Sequence, residues 1–296
     1  MAQQAKGWLL VSNASADLEV IQFPTLARTT VQLDDRPWSI GGPDRSGRIV
    51  YIVDVWGGHQ LRVTDVLGSR DAVLFERPGD PLTDSVIGGV ACSASGRVAF
   101  WARDLDKAHL HSGLPDTPRR LEVLDLDTRE CRVVPFELHN ARFMWMPDQR
   151  RLLLYARYDR AQYGPITPDP RVTLLDVDTG VESDPIGTGE LAFVEPDGIH
   201  IWVGVSGNPE WLRINSSNMT TETRSIRWLF PIASIGADLV VAAANPTEGL
   251  DPKYYRTLTK APQAMWSVKL FDTKADEFLT VEESVARHHT YSWGSD

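Results

Sequence analysis

The sequence lacks the features that mark several large classes of protein. Its 296 residues include only two cysteines, Cys92 and Cys131. Both stand in apolar strand-like contexts, so we interpret them as buried reduced thiols rather than as a disulfide or a nucleophile. No apolar run approaches the ~20 residues that a membrane-crossing helix needs. The formal net charge is −10 and no run of Lys and Arg interrupts it, which argues against a nucleic-acid partner.

Common catalytic signatures are missing as well. The sequence has no Gly-x-Ser-x-Gly elbow, no phosphate-binding P-loop and no His-Glu-x-x-His zinc motif. The pair His109 and His111 is the nearest approach to metal-ligand spacing, and the sequence shows no third ligand for it. We therefore assign no catalytic residue, no metal ligand and no cofactor.

The N-terminal residues lack the apolar core of a signal peptide. We accordingly expect a cytoplasmic protein, or a periplasmic or secreted one if a leader has been removed. We also expect a monomer.

What the sequence does contain is a repeated phrase: an aromatic or apolar residue, a polar turn with Asp or Gly, then an apolar strand. A hairpin with an Asp-containing turn follows most copies, which is the alternation typical of strands. The phrase occurs at 92–101, 145–155 and 194–202, and the hairpins at 121–128, 172–180 and 268–273. A further copy begins at Trp293 and is completed by Gly7–Asn13. A repeat divided between the two termini indicates a closed ring.

The repeats predict an all-β, six-bladed β-propeller of four-stranded blades in one domain, 1–296. Their spacing averages about 50 residues, the length of a propeller blade with its loops. Strands from both termini close the last blade, and closure hides the sheet edges. The predicted blades are roughly 34–84, 85–137, 138–187, 188–226, 227–283, and 284–296 plus 1–33.

The phrase resembles the WD40-like repeat of the TolB and prolyl-oligopeptidase propellers, whose consensus is Trp-Ser-Pro-Asp-Gly before an apolar strand. It stands here as Met144–Asp148, as Glu195–Gly198, and as Trp38-Ser39 with Ser46–Tyr51. The resemblance implies the propeller fold but not one activity, because such propellers are binding platforms, substrate gates or enzymes. Six blades leave no room in this length for a hydrolase domain.

A second resemblance supplies an alternative. The stretch 42–54 is similar to the six-bladed calcium-dependent lactonases, but Asp34–Pro37 replaces their Glu-Gly-Pro opening, and their Asn-Asp-Gly motif is absent from the second unit. The alternative function is a metal-dependent hydrolase or lyase with a central pocket. It would use His109, His139, His288 or His289.

The leading hypothesis is a non-catalytic binding propeller that holds a protein segment or a small anionic ligand. In a propeller, the loops entering the inner strands and those joining second to third strands open on one face. Long loops on a rigid scaffold concentrate binding residues, and Arg and His bind anions through charge-assisted bonds. The predicted ligand-binding residues on this face are Arg36, His109, His111, His139, Arg142, Tyr255, His288 and His289.

Two other residue sets have simpler explanations. We expect the Asp and Asn residues that end the second strands, such as Asp54, to bond their own backbone in turns. Trp38, Trp145 and Trp293 are aligned at one repeat position, and inter-blade packing explains them better than a carbohydrate platform.

Overall fold

The computed structural model describes most of the chain. The described residues are 6–12, 16–56, 58–68, 71–78, 87–102, 119–138, 141–155, 157–160, 166–205, 208, 210–226, 229–236, 238–244, 266–285 and 290–294. Every regular element among them is a strand, and none is a helix.

The strands form six four-stranded antiparallel sheets, which are the blades. Blade 6 begins with β1 (Gly7–Ser12), β2 (Asp17–Phe23) and β3 (Ala27–Gln32). Blade 1 contains β4 (Ser39–Gly41), β5 (Arg48–Val55), β6 (Gly58–Asp65) and β7 (Ala72–Pro78). Blade 2 contains β8 (Ile87–Cys92), β9 (Arg97–Ala102), β10 (Arg119–Asp125) and β11 (Cys131–Leu138).

The remaining blades follow in chain order. Blade 3 contains β12 (Arg142–Trp145), β13 (Arg151–Tyr155), β16 (Arg171–Asp176) and β17 (Gly187–Thr188), with a separate hairpin of β14 (Arg157–Arg160) and β15 (Ile166–Asp169) inserted between β13 and β16. Blade 4 contains β18 (Leu191–Val194), β19 (His200–Gly204), β20 (Glu210–Asn215) and β21 (Thr221–Ser225). Blade 5 contains β22 (Leu229–Gly236), β23 (Leu239–Ala244), β24 (Trp266–Asp272) and β25 (Glu277–Val285), and β26 (Thr290–Gly294) completes blade 6.

The two ends of the chain close the ring. The C-terminal strand β26 pairs antiparallel with β1, with Leu9 opposite Trp293 and Val11 opposite Tyr291. As the inner strand of blade 6, β26 lies beside β4 on one side and β22 on the other. The predicted six-bladed fold, with a last blade shared by both termini, is confirmed.

The hydrophobic core lies between the blades. Six apolar clusters of described residues each join two adjacent blades. The sequence of strand β5 is apolar from Ile49 to Val53, without the apolar–polar alternation of a half-exposed strand. Val50 and Ile52 face blade 2, whereas Ile49, Tyr51 and Val53 face blade 6. A strand buried on both faces has no side on which polar residues are favoured.

The hairpin turns between third and fourth strands repeat one arrangement in five blades. The side-chain oxygen of the residue ending the third strand accepts amide hydrogen bonds from the turn, as when Asp125 accepts from Asp127 and Thr128. This Asx arrangement fixes the turn locally. The five residues are Asp65, Asp125, Asp176, Asn215 and Asp272.

The predicted alignment of Trp38 with Trp145 is wrong. Trp145 is the last residue of β12, whereas Trp38 precedes β4 and so lies at the opposite end of its inner strand. The inter-blade interpretation of the tryptophans is confirmed for Trp145, which is buried between blades 2 and 3. The Trp293 side chain lies outside the described residues.

Candidate binding face

The strand order gives the ring two chemically different faces. The turns joining first to second and third to fourth strands open on one face, which we call the turn face. The connections joining second to third strands, and each blade to the next, open on the other, which we call the loop face. The eight predicted ligand-binding residues were all expected on the loop face. Six of them, His109, His111, His139, Tyr255, His288 and His289, lie outside the described residues.

The two described members, Arg36 and Arg142, are both exposed at the loop face. Arg36 lies just before β4 and Arg142 begins β12. Inner strand β8 stands between these two strands in the ring. The two arginines therefore lie on blades 1 and 3, and blade 2 separates them.

Arg36 lies on a segment that is anchored on both sides. Asp34 accepts a hydrogen bond from Arg62 Nη2 at 2.6 Å, and Arg62 Nε also donates to Asp71 at 3.0 Å. The Trp38 amide donates to the Ile52 carbonyl at 3.0 Å. Because the backbone is held on each side, the exposed guanidinium of Arg36 projects from a fixed position.

Arg142 is similarly well placed at a strand end. Its neighbours Ala141 and Phe143 are buried, and it pairs in register with Tyr155 of β13. Burial raises the pKa of the Tyr155 phenol, and the positive charge of Arg142 opposes that rise. The guanidinium thus acts electrostatically on the adjoining strand while remaining exposed to solvent.

The sequence analysis missed Trp56, which is the most exposed large apolar side chain of the described residues. It occupies the turn between β5 and β6, where Val55 pairs with Gly58. The sequence held a signal for it, an aromatic residue followed by two glycines between two apolar strand segments. A residue in such a turn has no neighbouring blade to pack against. Tryptophan is enriched at binding interfaces because its ring is largely apolar and its N–H can still find a hydrogen-bond partner.

The strands that lead to Trp56 carry a side-chain contact that contradicts one expectation. Asp54 and His59 are register partners, and Asp54 Oδ1 lies 3.0 Å from His59 Nε2. The Asp54 carboxylate therefore contacts the His59 side chain across the hairpin rather than its own backbone. Burial lowers the pKa of His59, and the Asp54 charge offsets this only in part.

One described group brings three metal-ligating atoms together, but it is on the turn face. Glu195, Asp197 and His200 have ligand atoms within 4.8 Å of one another. Glu195 is almost completely buried and already accepts from Arg213 Nε at 2.6 Å, Arg213 Nη2 at 2.9 Å and Trp202 Nε1 at 2.8 Å. A cation would have to displace the guanidinium, so this group fits a structural ion pair rather than a metal centre.

The two cysteines show no sign of activation. Burial raises the pKa of the Cys92 thiol. Cys131 is exposed on the outer strand β11, contrary to expectation, and its pKa is raised to about 12 by desolvation and by Glu122. A thiol with a raised pKa is a poor nucleophile at neutral pH.

Within the part of the chain that the structure describes, no helix is long and apolar enough to cross a membrane.

The comparisons with known proteins identify the fold. No protein-family profile matches this sequence, and no curated protein matches it significantly. Among solved structures, the chain is similar to TolB from Acinetobacter baumannii, with 13% identity and a TM-score of 0.63 over 97% of this chain and 66% of that chain. This chain thus spans about two thirds of the length of that TolB.

Two further structures show how varied such proteins are. A nidogen/laminin complex chain matches with 11% identity and a TM-score of 0.61 over 97% of both chains. An oligogalacturonate lyase in complex with manganese matches with 14% identity and a TM-score of 0.54 over 93% of this chain and 78% of that one. Identities this low establish the fold alone. The resemblance inferred from the repeat phrase is confirmed at that level: this chain is a six-bladed β-propeller with the fold found in TolB.

Proposed function

We propose that this chain is a non-catalytic binding propeller that holds a protein segment or a small anionic ligand on its loop face. The observation that carries the proposal is Trp56, a fully exposed indole on a tight turn. The Asp54–His59 pair ties together the two strands that present it. A large aromatic side chain on an anchored turn contributes contact area when a partner covers it.

Arginine supplies the polar part of the proposed face. Arg36 stands on the anchored segment of the same blade, and Arg142 stands at the inner strand of blade 3. Both guanidinium groups are exposed, and neither forms an ion pair with another described residue. Exposed arginines and an exposed aromatic residue on one face match the residue types of binding hot spots, and guanidinium groups suit carboxylate or phosphate groups.

The test compares matched variants on the two faces. Trp56→Ala with Arg36→Gln alters the loop face, and Leu67→Ala with Lys274→Gln removes an exposed apolar group and an exposed cation from the turn face. Immobilised wild-type protein and both variants are offered the same cell extract, and retained proteins are quantified by mass spectrometry. Calorimetry with acetate and phosphate measures small-anion binding in parallel.

We expect the loop-face variant to lose at least about tenfold in affinity, the typical effect of truncating an aromatic hot spot. The turn-face variant should bind as the wild type does. Equal retention and equal anion affinity for all three proteins would contradict the proposal.

A further inference from the structure

Trp38, Asp54 and His59 lie together on the side of blade 1 that faces blade 2. Trp38 stands beside the end of β5, because its amide donates to the Ile52 carbonyl. Its indole meets the His59 imidazole edge-on, with ring centroids 6.2 Å apart and planes at 77°. From blade 2, Gly88 allows the indole to approach closely, since a Cβ there would lie 2.7 Å from Trp38 Cη2.

Two polar atoms of this group are buried without a hydrogen-bond partner. They are Trp38 Nε1 and His59 Nδ1. His59 is 1% exposed, whereas Trp38 is only half-buried and reaches the loop face. Buried polar groups in native proteins are nearly always paired, and an unpaired one requires an explanation. Two such atoms on rings in contact point to a group that both would bind.

The chemistry of that group follows from the Asp54 contact. Asp54 Oδ1 lies 3.0 Å from His59 Nε2, and because a lone pair on that nitrogen would face the carboxylate, the proton of the neutral ring belongs on Nε2. In the neutral imidazole, Nδ1 is then a hydrogen-bond acceptor. Trp38 Nε1 is a donor in every state. The two rings therefore offer one donor and one acceptor.

We propose that Trp38 and His59 bind a neutral group that both accepts and donates a hydrogen bond, a carboxamide or a hydroxyl carried by the ligand of the loop face. The inference rests on the proposed function, because it assigns part of the ligand to blades 1 and 2. A carboxylate would meet the Nδ1 lone pair with its own lone pairs. Anionic groups of the ligand consequently belong at Arg36 and Arg142, and the neutral group at Trp38 and His59.

Nuclear magnetic resonance of the full-length protein labelled with ¹⁵N-histidine tests this directly. The probes are propionamide, 1-propanol and propionate, which are similar in shape but present a carboxamide, a hydroxyl and a carboxylate. The observable is the His59 Nδ1 resonance, assigned by its loss in His59→Gln. We expect propionamide or propanol to shift it towards the hydrogen-bonded position, and the stronger of the two identifies the group. Propionate should leave it unchanged.

Two tryptophan variants distinguish binding at this site from nonspecific binding of the probes. Trp38→Phe keeps an aromatic ring and removes the N–H, so it should weaken binding of the effective probe about fivefold. Trp211→Phe removes another buried indole N–H without a partner, in blade 4, and should change nothing. The inference is overturned if no neutral probe moves Nδ1, if propionate moves it equally, or if Nδ1 is already hydrogen-bonded without a probe and stays so. None of these outcomes depends on capturing a partner, so the proposed function can fail separately.

Discussion

The turn face and the loop face are made from opposite ends of the same strands, yet they satisfy their polar groups differently. On the turn face, Asx turns recur from blade to blade, and the buried Glu195 carboxylate is fully occupied by Arg213 and Trp202. On the loop face, Trp56 is exposed, and ring nitrogens of Trp38 and His59 lack partners. Groups satisfied internally stabilise the fold, whereas the unsatisfied nitrogens of Trp38 and His59 are the ones that we propose bind a ligand.

The turn face also joins neighbouring blades through charge. Arg48 of blade 1 donates to Asp44 at 2.6 Å and reaches Asp127 of blade 2 at 2.5 Å. Arg97 of blade 2 lies 3.2 Å from Asp178 of blade 3. These bonds lie close to the turns that the repeat phrase encodes, so one sequence pattern supports both the turn and the blade-to-blade contact.

The largest expected effect comes from breaking the most buried ion pair of the turn face, Glu195 with Arg213. Replacing Arg213 by Met leaves Glu195 buried with only the Trp202 N–H, and an uncompensated buried charge typically costs about 3–5 kcal/mol. Urea unfolding at neutral pH measures the loss. The double variant Glu195→Gln with Arg213→Met removes both charges and should recover a large part of it. Ordinary surface substitutions change the free energy of unfolding by about 0.5 kcal/mol or less. A decrease no larger than that for Arg213→Met would show that the buried polar groups of the turn face do not depend on their internal partners.

The fold was predictable because short local sequence patterns specify it. The phrase around Trp145 and its copies specify turn, strand and inter-blade packing within a few residues, so the blade count follows from repetition. The error at Trp38 has the same origin. The first unit carries an aromatic-Ser pair at the start of its inner strand, and sequence alone could not distinguish the two ends of a three-residue strand.

The site was less predictable because it depends on groups brought together across strands. Arg36 and Arg142 were predicted as binding residues from their place before inner strands. The Asp54–His59 pair depends on the exact register of β5 and β6, and the Trp38 contact depends on a third strand. Trp56 was overlooked for a different reason: tryptophans of a propeller are expected to pack between blades, and among those whose side chains are described this one is exposed.

The two faces should respond to acid in different pH ranges. Unfolded His59 protonates near pH ~6.5, whereas burial lowers its pKa in the folded protein despite the facing Asp54 and beside Arg77 of β7. The unfolded state therefore binds more protons, and stability is lost as pH falls from about 6.5 towards the folded pKa. His59→Gln should flatten this part of the stability–pH curve. Urea midpoints measured at intervals from neutral to mildly acidic pH test it, and an unchanged slope in the variant would contradict it.

Carboxylates on the turn face should affect the pH dependence of stability only at lower pH. Burial alone would raise the pKa of Asp148 and Asp197, but hydrogen bonds from turn amides and from Arg151 or His200 outweigh it and lower both. Their contribution is present above the unfolded value of ~4 and is lost as pH falls through the folded pKa. His59→Gln should leave this second decline intact, which separates the two faces in a single experiment.

The smallest expected effect concerns strain in the turns of the turn face. Met219 is exposed and has a φ of +59°, in the left-handed region that costs a residue with a Cβ roughly 1–2 kcal/mol. The Asn215 side chain accepts amide bonds from the turn, and the Met219 amide donates to the Asn215 carbonyl, so the conformation is imposed by the turn itself. Glycine relieves the strain but adds freedom to the unfolded chain, which offsets about 0.4–1 kcal/mol. Met219→Gly should therefore stabilise the protein by about 0.5–1 kcal/mol in urea unfolding. Met219→Ala keeps the strain and should gain nothing, so equal midpoints for Gly and Ala would show that the repeated turn carries no strain to relieve.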